Sequence, residues 1–160
     1  MLQIYLNLKI FIVNFSKKKN QSGYQLSAAL AGKNAETVAM YLDSGNVHCS
    51  HRFKDLLNFS LEKYREQLKI GKLIIRGDSG YGTEEIIDMV SSISKLKFII
   101  KGYSSKTAKN IAKTIDISDY AQADKSARVY EIPNTVRNRI IIVQILTKQG
   151  RFKYSHLITL

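Results

Sequence analysis

KLIIRGDSGYGTEEII, residues 72–87, is the stretch that decides how this chain folds. The apolar run at 73–75 predicts a buried β-strand, Gly80 and Gly82 predict a turn, and a helical pattern follows. Asp78 falls where the strand leaves the sheet, and open α/β sheets bind ligands at the carboxyl ends of their strands. A carboxylate in that place is a candidate metal ligand. The alternative is a turn aspartate that only caps the next helix.

The patterns around this stretch predict an α/β domain. Residues 51–69 carry an apolar stripe at a 3.6-residue period, which predicts a helix with Ser50 as its N-cap. A second helix is predicted over residues 83–94. Strands are predicted at residues 9–15, 24–30, 36–42, 73–76 and 98–100.

The pattern changes after residue 102. A short basic amphipathic helix is predicted over residues 105–115, and residues 116–125 are expected to form a loop. Three further strands are predicted at residues 129–132, 139–146 and 152–159. We therefore divide the chain into an α/β core, residues 1–102, and a β-rich extension of the same domain, residues 103–160.

Charge and composition restrict the class of partner. The chain has 160 residues, 44% of them hydrophobic, and 25 basic against 13 acidic residues give a net charge of +12. This excess favours a polyanionic partner, although an AT-rich genome that favours lysine codons would also produce it. One cysteine, Cys49, excludes an internal disulfide and is consistent with a reducing compartment. Cys49 and its neighbours His48 and His51 lack the spacing of a structural zinc site.

Four segments together resemble a known family. They are GYQL at 23–26, LDSGN at 42–46, RGDSGY at 76–81 and YSHLITL at 154–160. In this order they resemble a bacterial insertion-sequence transposase of the DDE type, over about residues 20–160. RGDSGY is the most specific of the four.

The resemblance implies a fold, a site and partners. The fold would be ribonuclease H-like, a mixed sheet flanked by helices, and the partner would be DNA, both transposon ends and target. Asp78 would be the second catalytic acid and a ligand of Mg²⁺ or Mn²⁺. The intact family also implies a homodimer and a location in the bacterial cytoplasm, on the nucleoid.

The family's other two acids have no counterpart here. The first lies on the first strand of the family, yet residues 1–22 contain no Asp or Glu. The third is a Glu on a helix that would begin near Leu160, where the sequence ends. Because two-metal chemistry needs several carboxylates, we expect a fragment truncated at both ends, inactive alone and without stably bound metal. The alternative is a non-enzymatic DNA-binding module on the same scaffold.

Several basic residues are candidate DNA contacts. The run at 17–19 and Arg76 each have a plainer interpretation, a solvated loop and a structural ion pair respectively. Asp43 either supports the metal site without binding the metal directly or only stabilises the LDSGN turn in which it lies. His156 is expected to be structural. The candidate DNA contacts are Lys17, Lys18, Lys19, Arg76, Lys106, Lys109 and Lys113.

Overall fold

The computed structural model describes residues 4–7, 10–11, 24–32, 36–45, 47–133 and 135–160. Within these ranges, no helix has the length and apolar content needed to cross a membrane. The strands are β1 Ile4–Asn7, β2 Ile10–Phe11, β3 Tyr24–Ala31, β4 Glu36–Ser44, β5 Leu73–Gly77, β6 Lys97–Lys101, β7 Ala121–Gln122, β8 Ala127–Ile132, β9 Arg139–Leu146 and β10 Phe152–Thr159. The α-helices are α1 Phe53–Lys63, α2 Arg65–Lys69, α3 Glu84–Ser91 and α4 Ser105–Ala112.

All these strands belong to one mixed sheet. Leu6 pairs with Ala31 and Ile10 pairs with Ser27, so β1 and β2 follow one register along the same edge of β3. The order is therefore β4, β3, β1 with β2, β5, β6, β10, β9, β8 and β7. β1, β5 and β6 are parallel, whereas β3 is antiparallel to its neighbours. This is the strand order and direction of a ribonuclease H-like core, and the predicted fold class is confirmed.

The central strands are buried because helices cover them. β5 and β6 both alternate between buried and more accessible residues, and α1 and α3 contribute their apolar faces to the same core. Burial of such side chains stabilises each by about 1.5–3 kcal/mol relative to exposure. The core side chains from these four elements are Phe53, Leu56, Leu57, Leu73, Ile75, Ile86, Ile87, Val90, Phe98 and Ile100.

The β-rich extension continues the core sheet. β10 lies antiparallel to β6, with Leu157 opposite Lys101 and Thr159 opposite Ile99. Since β6 ends at Lys101, the first half of β10 extends past the carboxyl edge of the core strands. β9 pairs with β10 along its whole length and with β8 on its other side, so the hairpin of β9 and β10, flanked by β8, projects beyond that edge. α4 packs against this hairpin and buries Ala108 and Ala112.

The first predicted helix is wrong in two respects. It is broken at Tyr64, which has a non-helical backbone and turns its ring into the core. Ser50 is not its N-cap, because a 3-10 turn at Cys49–Arg52 precedes α1 and places Arg52 in the cap position. Ser50 lies inside that turn, and its N–H donates to His48 Nδ1.

Other boundaries also differ. The predicted helices end early, α3 at Ser91 and α4 at Ala112, so Lys113 is the first residue after α4. The predicted loop at 116–125 contains a 3-10 turn at Ile117–Asp119 and also β7, whose strand hydrogen bonds come from β8.

The remaining strand predictions are close to the structure. Of the strand predicted at 9–15, residues 10–11 are observed as β2, and residues 9 and 12–15 lie outside the described ranges. The strand β1 at Ile4–Asn7 was not predicted. The strands predicted at 139–146 and 152–159 are confirmed to the residue.

Candidate active site at the carboxyl edge of the sheet

Asp78 follows β5 directly, at the carboxyl end of a strand that has a parallel neighbour on each side. Its side chain is exposed. β5 is held in the middle of the sheet because Leu73 and Ile75 are fully buried. The position is therefore the one that the sequence predicted for a candidate ligand.

The Asp78 carboxylate also organises the turn that follows it. Its Oδ1 accepts the Ser79 N–H at 2.6 Å, and the Asp78 carbonyl accepts the Tyr81 N–H at 3.0 Å. These bonds close a 3-10 turn at Ser79–Tyr81. A carboxylate has two oxygens and several lone pairs, so a capping bond to Oδ1 is compatible with a metal ligand.

A buried aromatic pair fixes this turn to the core. The Tyr81 side chain is completely buried, and its ring centroid lies 5.0 Å from that of Phe53 at the start of α1. A tilted aromatic pair of this kind adds about 0.5–1.5 kcal/mol beyond the burial of its two rings. The residue three positions after Asp78 thus anchors the turn that carries it.

Close backbone packing fixes the other end of the turn. A Cβ at Gly82 would overlap the Lys101 carbonyl oxygen, and the Gly82 carbonyl accepts the Tyr103 N–H at 3.3 Å. A Cβ at Gly102 would overlap the ring of His156 on β10. Because this ring is partly buried, the pKa of His156 is lowered from its usual value. The Asp78 turn, the end of β6 and β10 are therefore packed at van der Waals distance.

Arg76 and Asp78 do not form an ion pair. Arg76 is exposed on β5, paired in the ladder with Asn7 and Ile99. No side-chain carboxylate lies within ion-pair distance of Arg76 in the described part of the chain. Arg76 is therefore not part of a structural ion pair. The Arg76 guanidinium is therefore available to an anionic ligand near the carboxyl edge.

Asp43 has a structural role. Two guanidinium nitrogens of Arg52 donate to the Asp43 carboxylate, Nε to Oδ2 at 3.0 Å and to Oδ1 at 3.1 Å, and Nη2 to Oδ1 at 2.6 Å. The Asp43 side chain is only 10% exposed. The guanidinium also lies 4.9 Å from the centroid of the Tyr41 ring. Hydrogen bonds from Arg52 hold the pKa of the Asp43 carboxyl below its usual value. This pair joins β4 to the start of α1 and leaves Asp43 committed there.

The Asp43–Arg52 pair predicts a pH dependence of stability. Because the pKa of Asp43 is lower in the folded state, its contribution is fully present above about pH 4, the usual value. The contribution is lost as the pH falls through the lowered pKa. We expect the free energy of unfolding of Asp43→Asn to lie below that of the wild type by a constant amount near neutral pH. The gap should shrink below about pH 4 in urea titrations. If the difference in free energy of unfolding between wild type and Asp43→Asn grew in acid, the Asp43–Arg52 pair would not stabilise the fold as described.

The basic candidates are only partly brought together. Lys106 and Lys109 are exposed on α4, and Lys113 follows its end. Lys17, Lys18 and Lys19 lie outside the described residues. The sequence prediction missed Lys101, which ends β6. Gly77 pairs with Ile100, so Lys101 is one step further along, level with Asp78. A lysine directly after a buried strand, as Asp78 follows another, is the signal that could have found it.

In the described ranges, no three side chains of His, Cys, Asp or Glu stand close enough together to hold a metal ion. All three histidines, and all 13 acids of the sequence, lie in those ranges. Asp78, the ligand that the sequence predicted, thus lies at the carboxyl edge of the sheet without a complete set of metal ligands around it in the described ranges.

The sheet order and the acid after its central strand define a domain of the ribonuclease H-like class. The profile of the family described as transposase DDE domain group 1 matches residues 14–154, and the chain belongs to this family. A comparison with curated proteins found no relative.

A solved structure has a similar fold. It is a piggyBac transposase synaptic complex with hairpin DNA, matched with a TM-score of 0.50 and 9% sequence identity. The match covers 96% of this chain and 32% of the piggyBac chain, so this chain spans about a third of that protein. At this identity the likeness concerns the fold alone.

Proposed function

We propose that this chain is the DNA-processing domain of a DDE transposase, which acts on transposon ends and target DNA. The observation that carries the proposal is Asp78, exposed after the central strand of a ribonuclease H-like sheet, in a chain of the DDE family. Residues 103–160 are proposed to be an extension of the same domain. Pairing of two copies and association with a bacterial nucleoid belong to the same proposal.

Asp78 is the proposed metal ligand. In DDE chemistry Mg²⁺ or Mn²⁺ ions, held by carboxylates, activate the attacking oxygen and stabilise the leaving oxygen. The side chains gathered around Asp78 in the described ranges do not by themselves fit such a centre. What Asp78 supplies is a negative oxygen donor, fixed in place by the turn of Ser79–Tyr81.

The purified 160-residue chain is expected not to nick duplex DNA when Mg²⁺ or Mn²⁺ is supplied, because one carboxylate does not organise two ions. The assay uses labelled duplex and compares the wild type with Asp78→Asn. Metal-dependent nicking that disappears in Asp78→Asn would show that further residues of this chain complete the site.

DNA binding is the more general test of the proposal. The net charge of +12 and the exposed Arg76, Lys101 and Lys106 near one edge predict binding that weakens steeply with salt. Each lysine or arginine that neutralises a phosphate of duplex DNA contributes about 0.9 to the slope of log affinity against log salt. We expect Arg76→Ala and Lys106→Ala each to lower that slope by up to this amount.

The matched control is Lys97→Ala. Lys97 is exposed like Lys101, but it begins β6 and so lies at the opposite edge of the sheet. Its substitution is expected to leave the slope unchanged in fluorescence anisotropy. A folded wild-type chain that does not bind duplex DNA at low salt would refute the proposed function.

A further inference from the structure

A second basic feature lies between α4 and the projecting hairpin of β9 and β10. It is a groove of about 420 Å³, within the range of ligand pockets. Lysines from three different elements line it, Lys101 from β6, Lys109 from α4 and Lys153 from β10. Two aromatic residues on β10, Phe152 and Tyr154, form an aromatic wall of the groove. In the strand their side chains share one face, and the side chain of Lys153 between them takes the other.

The groove is positive and carries no compensating acid. None of the residues that line it is Asp or Glu. The described part of the chain, which contains every acid of the sequence, places no side-chain carboxylate within ion-pair distance of the three lysines. Three lysines that border one concave surface without a compensating acid attract a polyanion.

The aromatic side chains distinguish between polyanions. The Phe152 side chain is 46% exposed, and no ring pair involves it in the described ranges. Tyr154 is held in place because its hydroxyl accepts a hydrogen bond from Gln144 Nε2 at 3.2 Å. Exposed rings beside lysines are the usual platform for unpaired bases, each stacked base contributing about 1–3 kcal/mol. In a duplex the faces of the bases are already stacked on one another, so they are not free to stack on an aromatic side chain.

The groove adjoins the candidate active site. Lys101 is one of the residues that line the groove. Gly77 pairs with Ile100 in the β5–β6 ladder, so Lys101, the next residue of β6, lies level with Asp78, which follows Gly77. From Lys101 the groove continues along β10 through Lys153 and Phe152, on the half of that strand that extends past the core. A strand that leaves the Asp78 edge on this side would enter it.

We propose that this groove binds single-stranded DNA, with the lysines on the phosphates and Phe152 stacked on a base. The choice of DNA rests on the function proposed above, whereas the preference for an unpaired strand rests on the aromatic wall. Lys109 was already a candidate from the sequence, and the structure adds Lys101, Lys153, Phe152 and Tyr154.

The first test compares Phe152→Ala with wild type on labelled oligo(dT) and on a duplex of equal length, by anisotropy. We expect affinity for the single strand to fall about tenfold, and affinity for the duplex to change less than twofold. The matched control is Phe59→Ala, because Phe59 is a similarly exposed ring on α1, away from the groove, and should change neither. An unchanged affinity of folded Phe152→Ala for oligo(dT), or an equal loss on duplex, would overturn the proposal.

The second test uses charge. The double variant Lys109→Ala with Lys153→Ala should lower the salt slope for oligo(dT) by about 0.7 per lysine. Lys54→Ala with Lys97→Ala, a pair of exposed lysines outside the groove, should leave that slope unchanged. Equal slopes for the two double variants would overturn the proposal, and so would tighter binding of oligo(U) than of oligo(dT).

The two proposals can fail separately. If the groove variants bind oligo(dT) like wild type while wild type binds duplex, the groove assignment fails and the DNA-processing function stands. If wild type binds oligo(dT) through the groove but does not bind duplex, the groove is real and the transposase function fails.

Discussion

Replacing Tyr81 with alanine is expected to lower the free energy of unfolding by about 3–5 kcal/mol, the range for a large aromatic side chain removed from a core. The Tyr81 side chain is completely buried against Phe53, and it closes the turn that begins at Asp78. Typical domains are stable by only about 5–15 kcal/mol, so this loss is a large fraction of the total. Urea denaturation followed by circular dichroism measures it.

Tyr103→Ala is the matched control for Tyr81→Ala. Tyr103 also lies near the carboxyl edge of the sheet, but its side chain is 63% exposed. A surface substitution of this kind changes stability by no more than about 0.5 kcal/mol. If Tyr81→Ala lowered the free energy of unfolding no more than Tyr103→Ala does, the Asp78 turn would not be anchored through Tyr81.

Gly82→Ala is expected to lower stability by about 3 kcal/mol, the upper part of the usual range for overpacking. An added methyl would lie 2.6 Å from the Tyr103 nitrogen and would overlap the Lys101 carbonyl oxygen. These atoms are backbone, held by the sheet, and cannot rotate away as a side chain does. The substitution should therefore separate the Asp78 turn from β6.

The control for Gly82→Ala is Gly71→Ala. Gly71 has φ +67° and no atom within 4 Å of an added Cβ, so the control measures backbone strain without a clash. Left-handed backbone costs a residue with a side chain about 1–2 kcal/mol. A Gly82→Ala variant as stable as Gly71→Ala would show that the turn and β6 are not in close contact.

The local elements could be predicted well from the sequence. Residues 139–146 and 152–159 are continuous strand patterns bounded by turn residues, and β9 and β10 match them to the residue. Asp78 could be placed at a strand end because an apolar run precedes it and glycines follow it.

The break at Tyr64 could not be predicted in the same way. The apolar stripe of residues 51–69 keeps its period through that position, so the pattern contains no sign of the change in backbone. The break depends on how the Tyr64 ring packs into the core, which is a tertiary contact. The end of α2 is different, because Gly71 supplies the left-handed residue that closes a helix.

The groove could not be predicted because it depends on which strands are neighbours. Lys101 and Lys153 are far apart in the sequence and meet only because β10 pairs with β6. Nothing in the local pattern of either strand fixes that pairing or its register. The sequence could therefore offer Lys109 together with Lys106 and Lys113 on a helix, but not its partners across the groove.

The central claim is that DNA lies along the carboxyl edge of the sheet, beside Asp78. It is tested by tethering an iron chelate that generates hydroxyl radicals to Ser79→Cys, in a chain whose single cysteine is changed by Cys49→Ser. The control tether is Ser94→Cys, an exposed site just before β6 at the opposite edge. We predict strand cleavage of bound DNA from the tether at position 79 and background cleavage from position 94. Equal cleavage from both tethers, or cleavage from position 94 alone, would contradict the account.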